Sequence, residues 1–278
     1  MVTCAGRSQG KVKPAAHHPA GMEENSMNEF DLSGMVAIVT GGNGGIGRGI
    51  ALGLARAGAD IALAARNRDK LAATAADVEA LGRRCLALSC DVTIRADIEA
   101  AVAETTAKLG PPGILVNNAG IAGGGPPEAI PEETWDAILD TNLKASFVFA
   151  QVVFPAMKEL GRGKVINIGS EYSLFGSSHG LPYSASKGGV VQLTKSLAVA
   201  WAAANIQVNC IIPGWITTDM TAPAKANDVF YQQIIARTPA RRFGEPEELA
   251  GTAVWLASRA SDFVTGQSIP VDGGYSIS

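Results

Sequence analysis

From Phe30 onward, short runs of aliphatic and β-branched residues alternate with longer Ala-rich stretches of helical period. The apolar runs predict strands at 36–40, 61–65, 84–89, 114–117, 164–169, 207–212 and 268–271. Helices are predicted between them, over 46–57, 68–81, 95–109, 132–159, 183–203 and 246–258. Strands apolar on both sides cannot face water on either, so they belong in a parallel sheet covered by helices on both faces. Parallel neighbours need crossover helices, which predicts a single doubly wound α/β sheet, mainly parallel and seven-stranded. The longest irregular stretches, about 170–182 and 213–239, both follow strand C-terminal ends. Ligands bind at that edge of such sheets.

Residues 1–29 are polar, lack a hydrophobic period and contain no apolar core of a secretory signal. They are expected to be a flexible N-terminal extension, with one domain over 30–278. The chain of 278 residues is 47% hydrophobic and 18% charged, enough for a sizeable core. Its net charge of −3 gives no electrostatic reason to expect nucleic acid or an anionic membrane as partner. No apolar run is read as reaching the roughly 18 residues that span a bilayer, so a soluble protein is expected. Cys4, Cys85, Cys90 and Cys210 form no CxxC pair, and two of the three histidines are adjacent near the N-terminus. Metal-ligand spacing is absent, and reduced cysteines suit a cytoplasmic protein.

The first predicted strand runs into Thr40-Gly41-Gly42-Asn43-Gly44-Gly45-Ile46-Gly47, and a helix follows. Glycines there permit a tight turn and let the backbone approach a diphosphate. The helix N-terminus adds free N–H groups and the positive end of its dipole. Together these point to a dinucleotide. An acidic residue about 20 positions on would take a ribose 2′-hydroxyl. Counting selects Asp60, nineteen residues after Gly41. Topology rejects it, because Asp60 precedes the second strand and the ribose lies beyond that strand's C-terminal end. The residues there are Ala65, Arg66, Asn67 and Arg68, none of them acidic. Arg66 can pair with a 2′-phosphate, and Asn43 can add a hydrogen bond. NADP(H) is therefore expected, with NAD(H) left open. After the third strand, Asp91 and Val92 are candidates for the adenine, although Asp91 would equally cap the helix beginning near Ile94. After the fourth, Asn118, Ala119 and Gly120 suit close approach by a ribose.

The strongest chemical constellation is Tyr183-Ser184-Ala185-Ser186-Lys187. Tyr and Lys at i and i+4 share one helix face. A ketone that accepts a hydride becomes an alkoxide needing a proton, which a phenol can supply. The phenol's ordinary value of about 10 makes it a poor base in reverse, and a nearby ammonium is expected to lower it. Thirteen residues earlier, the fifth strand ends at Gly169-Ser170, where a hydroxyl can hold the substrate oxygen against the phenol.

With these motifs in place, residues from about Phe30 to Ser278 resemble the short-chain dehydrogenase/reductase family. The resemblance is carried by TGGNGGIG at 40–47, NNAG at 117–120, Asn142 in DTNLKASF, Ser170 in INIGS, YSASK at 183–187 and Pro213-Gly214. It implies a Rossmann-type sheet, a nicotinamide cofactor and alcohol/ketone oxidoreduction. It further implies that Tyr183 is the acid/base and that Lys187 lowers its pKa and binds the nicotinamide ribose. Ser170 would orient the substrate, and Asn142 would help hold a water that passes protons onward. Gly41, Gly45, Ile46, Gly47, Pro213, Gly214, Ile216 and Thr218 would contact the cofactor. One departure is Gly44, where many NADP-preferring relatives carry a basic residue, so the phosphate case rests mainly on Arg66.

Substrate contacts are expected from Ser170, Tyr172, His179 and Trp215, with Glu171 and Met220 as further lining. Glu171 and His179 would recognise hydroxyls, and Trp215 would stack on a sugar or ring. The overall pattern is similar to enzymes acting on sugar acids such as gluconates and to 3-oxoacyl-carrier-protein reductases. A small hydroxylated carbonyl compound is favoured. A non-catalytic dinucleotide-binding regulator is the other alternative, but such a protein should have lost one of the four catalytic side chains. The family resemblance implies a homotetramer, with Phe147, Phe149, Val190, Val191 and Leu193 on the helices that pack subunits.

Overall fold

The computed structural model describes residues 29–278, so the extension expected over 1–29 lies, apart from Glu29, outside the described residues. The strands are β1 (Val36–Thr40), β2 (Asp60–Ala65), β3 (Cys85–Ser89), β4 (Ile114–Asn117), β5 (Gly163–Ile168), β6 (Ile206–Pro213) and β7 (Ser268–Val271). All seven form one parallel sheet in the order β3-β2-β1-β4-β5-β6-β7. The helices are α1 (Gly45–Arg56), α2 (Arg68–Ala80), α3 (Arg95–Lys108), α4 (Glu132–Leu139), α5 (Ala145–Glu159), α6 (Leu181–Trp201), α7 (Ala222–Ala226), α8 (Asp228–Arg237) and α9 (Ala250–Ala257).

The central strands are buried at every position because both faces are covered. On one face Ile50 and Leu54 of α1, Leu71 and Val78 of α2 and Leu256 of α9 pack on alternate strand residues. On the other, Ile98 of α3, Phe149, Val153 and Met157 of α5 and Leu197 of α6 do the same. Chain direction across the sheet reverses between β1 and β4, which pair through Val39 and Val116. That switch point opens a crevice at the strand C-terminal ends.

Asp60 opens β2 at the opposite edge and is buried against Arg83 and Arg84, whose guanidinium nitrogens lie 2.7 Å and 2.6 Å away. Topology had excluded it from the ribose for the same reason.

Three features depart from the sequence expectation. The stretch expected to be irregular after Pro213 contains α7 and α8. Asn227 caps α8 by accepting from the Phe230 N–H at 3.1 Å. Its apolar stripe is weak, since Ile234 alone is buried. Second, the run 132–159 is interrupted by a π turn at Asp140–Lys144, a device frequent at functional sites. Third, the whole run Glu132–Glu159 is long and apolar enough to cross a membrane by length and composition. Here Phe149, Val153 and Met157 of that run are buried against the sheet.

Candidate active site

A cavity of about 730 Å³ opens over the C-terminal ends of β1, β4, β5 and β6. Its floor is the glycine turn. Gly41 (φ +63) and Gly45 (φ +48) adopt left-handed conformations that favour glycine. A Cβ on Gly47 would drive into the Gly41 carbonyl oxygen and the Asn118 amide. Thr40 ties the two sides of the switch point together, its hydroxyl accepting from the N–H groups of Asn118 and Ala119, both at 2.9 Å. The Asn118 amide donates to the carbonyls of Thr40 and Gly41 at 3.0 Å and 3.2 Å. No side chain caps α1, whose N-cap is Gly44. Its first N–H groups and positive dipole end therefore lie beside the cavity that Gly44, Gly45 and Ile46 line. This cradle, closed to any Cβ at Gly47 and uncapped at α1, fits a dinucleotide diphosphate.

Chemistry sits at the other end. Ser170 follows β5 and caps a short turn, its Oγ accepting from the Tyr172 N–H at 3.2 Å. The Ser170 hydroxyl lies near enough to the Tyr183 phenol to pull its value down. Tyr183 stands on the first turns of α6, and the edge of one of the two rings Tyr172 and Tyr183 meets the other at 6.1 Å between centroids. Lys187 is buried one turn further on, its ammonium donating to the Ile168 carbonyl at 2.7 Å and lying 5.7 Å from the Tyr183 ring centre. Desolvation drops the Lys187 ammonium to about 8. Burial pushes the Tyr183 phenol above its ordinary value, against the pull of the Ser170 hydroxyl. The expected lowering of the phenol by the ammonium is not seen in the free protein: burial sets the direction, and the one opposing pull comes from Ser170. Both groups are desolvated together, and Lys187 spends a hydrogen bond on a backbone carbonyl.

Asn142 lies in the π turn beneath this end and is fully enclosed. It accepts from the Ile121 N–H at 2.8 Å and donates to the Ile121 carbonyl at 3.0 Å and to Ser186 Oγ at 3.1 Å. It therefore fixes the loop after β4 to the helix carrying Tyr183. Replacing Asn142 by Ala orphans the Ile121 groups, so stability in denaturant is expected to fall by about 2–3 kcal/mol, with kcat reduced as the loop loosens. Unchanged stability would show that these bonds carry no load.

Most of the expected site residues line this one cavity: Gly41, Asn43, Gly45, Ile46, Asn118, Ala119, Gly120, Ser170, Glu171, Tyr172, His179, Tyr183, Lys187, Pro213, Gly214, Trp215, Ile216, Thr218 and Met220. Gly47 and Asn142 lie beneath it. Arg66, Asp91 and Val92 are outside its lining. Val92 is buried beside Cys90. Asp91 accepts from Thr93 N–H and hydroxyl at 3.0 Å and 2.7 Å, forming a turn ahead of α3. Arg66 is exposed and 3.8 Å from Asp91. Trp215 departs from its expected role. Its ring is packed edge-on with Phe230 at 5.6 Å and tilted against Phe243 at 5.7 Å, so it builds the wall rather than a free stacking face.

Two lining residues had no local signal in the sequence. Lys70, on the first turn of α2, meets Asp219 across the mouth at 2.7 Å, although 149 positions separate them. Phe230, on α8, closes the outer wall because α8 itself was unforeseen.

Comparison with known proteins agrees with this geometry. A family model described as enoyl-(acyl carrier protein) reductase matches residues 41–276. Gluconate 5-dehydrogenase of Gluconobacter oxydans is 42% identical over 249 residues, covering 90% of this chain and 97% of that one. The 2-dehydro-3-deoxy-D-gluconate 5-dehydrogenase of Bacillus subtilis is 43% identical over 246 residues, 88% of this chain and 96% of its own. The crystal structure of a gluconate 5-dehydrogenase from Burkholderia cenocepacia, in complex with NADP and tartrate, superposes with a TM-score of 0.86. It is 40% identical and covers 90% of this chain and 98% of that chain. The chain belongs to the short-chain dehydrogenase/reductase family. It is an oxidoreductase that acts on CH–OH groups with a nicotinamide dinucleotide.

Proposed function

We propose that this enzyme uses NADP(H) to interconvert a secondary alcohol and a ketone on a small hydroxylated sugar acid of the gluconate kind. The observation that carries the reading is that Ser170, Tyr183 and Lys187 share a wall of the cavity whose floor is the uncapped α1 N-terminus. The relatives named for gluconate and 2-dehydro-3-deoxygluconate support the sugar-acid part. Residues 30–278 act as a single domain in this reading.

A bound nicotinamide supplies or accepts the hydride. The protein's own part is to manage the proton. Ser170 holds the substrate oxygen by a hydrogen bond and keeps it beside the Tyr183 hydroxyl. In reduction the phenol gives its proton to the developing alkoxide; in oxidation the phenolate takes it back. Lys187, mostly cationic at neutral pH given a value of about 8, stabilises the phenolate and donates to the nicotinamide ribose. Asn142 and Lys187 return the proton to solvent through a held water. Gly41, Asn43, Gly45, Ile46 and Gly47 hold the diphosphate side. Asn118, Ala119 and Gly120 border the ribose, Asp91 and Val92 the adenine, and Pro213, Gly214, Ile216 and Thr218 the carboxamide. Tyr172, His179 and Trp215 shape the substrate end.

NADP(H) is preferred because none of Ala65, Arg66, Asn67 and Arg68 at the end of β2 is acidic and Arg66 is exposed there to meet a 2′-phosphate. Arg66→Ala is expected to raise KM for NADP(H) about 10- to 100-fold and to leave KM for NAD(H) nearly unchanged. Equal effects on both cofactors would remove Arg66 from phosphate recognition. The whole reading is tested by a panel of sugar acids, polyols, 3-oxoacyl thioesters and cyclic ketones, each with NADP(H) and NAD(H), following nicotinamide absorbance. Turnover confined to 3-oxoacyl thioesters would transfer the enzyme to acyl-carrier chemistry, and turnover only with NAD(H) would overturn the cofactor assignment.

A cytoplasmic homotetramer completes the proposal. Phe147 on α5 and Val199 on α6 are exposed apolar side chains, 43% and 84% accessible, available to a second copy. Phe149 and Val190, expected at the same interface, are instead buried in the subunit's own core, and Val191 and Leu193 pack partly against it.

A further inference from the structure

Glu171, next to Ser170, is 6% exposed yet lines the cavity. Its Oε1 has no hydrogen-bond partner among the described residues. That oxygen lies beside Gly214, where an added Cβ would come within 3.0 Å of it. Burial pushes the carboxyl up to about 8, with Asp272 adding like charge and Arg237 opposing. At neutral pH the group therefore mostly keeps its proton and can both donate and accept. Arg237 does not neutralise it by contact, because its guanidinium stacks on Phe175 at 5.0 Å and Tyr275 at 4.1 Å. A buried carboxyl on a cavity wall with one oxygen unsatisfied calls for a partner. Among the described residues no arginine lines the cavity, and its lysines are Lys187 and the Asp219-paired Lys70.

We propose that Glu171 is a specificity-determining residue that hydrogen-bonds a hydroxyl on the carbon next to the reacting one. The consequence is an orientation. The hydroxylated, uncharged end of the substrate enters toward Glu171, and a substrate carboxylate stays toward the mouth. The enzyme then reacts at a hydroxyl remote from the carboxylate. This deepens the sugar-acid reading and rests on it only for the carboxylate.

The test compares two pairs of ketones, each pair differing by one hydroxyl beside the carbonyl: 5-keto-D-gluconate with its 6-deoxy analogue, and 1-hydroxybutan-2-one with butan-2-one. Wild-type kcat/KM with NADPH is expected to favour the hydroxylated member of each pair about 10- to 100-fold, because a site built for a hydroxyl is left unsatisfied by the analogue. Glu171→Ala should collapse that ratio to within about threefold of unity, and Glu171→Gln, which still donates and accepts, should keep most of it. A structural role for Glu171 would lower both members alike and leave the ratio intact, which overturns the proposal. A wild-type ratio near unity overturns it without any variant, so the test survives a misfolded Glu171→Ala protein. If only the neutral pair is turned over with a Glu171-dependent ratio, the sugar-acid reading falls and the Glu171 assignment stands. Turnover of neither pair overturns both. Efficient reduction of 2-keto-D-gluconate, whose carbonyl adjoins the carboxylate, contradicts the orientation.

Discussion

Tyr183→Phe is expected to lower kcat for alcohol oxidation and ketone reduction by about 10³- to 10⁴-fold, the span general acid–base groups supply. The change removes one oxygen. Its ring remains packed edge to face with Tyr172, and nothing in the glycine cradle is touched. Dinucleotide affinity, read by fluorescence titration, is therefore expected to stay within about twofold of wild type. The phenol matters because it is the proton donor within reach of Ser170. Burial raises the phenol in the free protein and lowers Lys187 to about 8. Oxidation needs the proton to leave this couple, so its rate should rise with pH, and the residual rate of Tyr183→Phe should lose that dependence on the phenol. A variant with near wild-type turnover would remove Tyr183 from the chemistry.

Gly47→Val is expected to abolish cofactor binding by a different route. The added Cβ meets the Gly41 carbonyl oxygen and the Asn118 amide, both held by the bonds that tie β1 to β4. These are backbone and a doubly bonded amide, so the turn must open to admit it. Overpacking of this kind costs about 1–3 kcal/mol of stability. Dinucleotide affinity should fall by about 100-fold or more, because the diphosphate cradle is held to the geometry that binding needs. Gly44→Ala is the matched control for folding. A Cβ there meets nothing within 4 Å, so its melting temperature should match wild type. Wild-type affinity in Gly47→Val would show that the cradle is not where the dinucleotide sits.

How much of this was legible in the sequence follows burial. The strands at 36–40, 114–117 and 268–271 form over the residues expected; in the first two a buried apolar run bounded by turn residues leaves little choice of register. The glycine turn and the Ser170, Tyr183, Lys187 set were legible as local patterns on a strand end and a helix. Asn142 was legible only by family resemblance, since a π turn leaves no periodic mark and its bonds to Ile121 and Ser186 are long-range. Lys70 escaped because its partner Asp219 comes from a distant loop. Helix α8 escaped because a single buried residue, Ile234, gives too little period. Along the sequence Trp215 stands as a free ring, and only the fold brings Phe230 and Phe243 onto it. The direction of the Tyr183 shift is illegible along the chain for the same reason. Charge proximity can be counted along a helix, whereas desolvation depends on what the rest of the chain lays over it.

The central claim is that a hydride moves between the substrate's carbinol carbon and a nicotinamide in this cavity. Its most direct measurement is the fate of deuterium. The wild-type enzyme is incubated with NADP and gluconate deuterated at the carbinol carbons, and the recovered dinucleotide is examined by NMR. The expected result is deuterium on the nicotinamide ring, appearing in step with ketone formation and absent with Tyr183→Phe over the same interval. Ketone formed without deuterium reaching the dinucleotide, or no ketone from any alcohol of the panel while NADP binds, would contradict the claim.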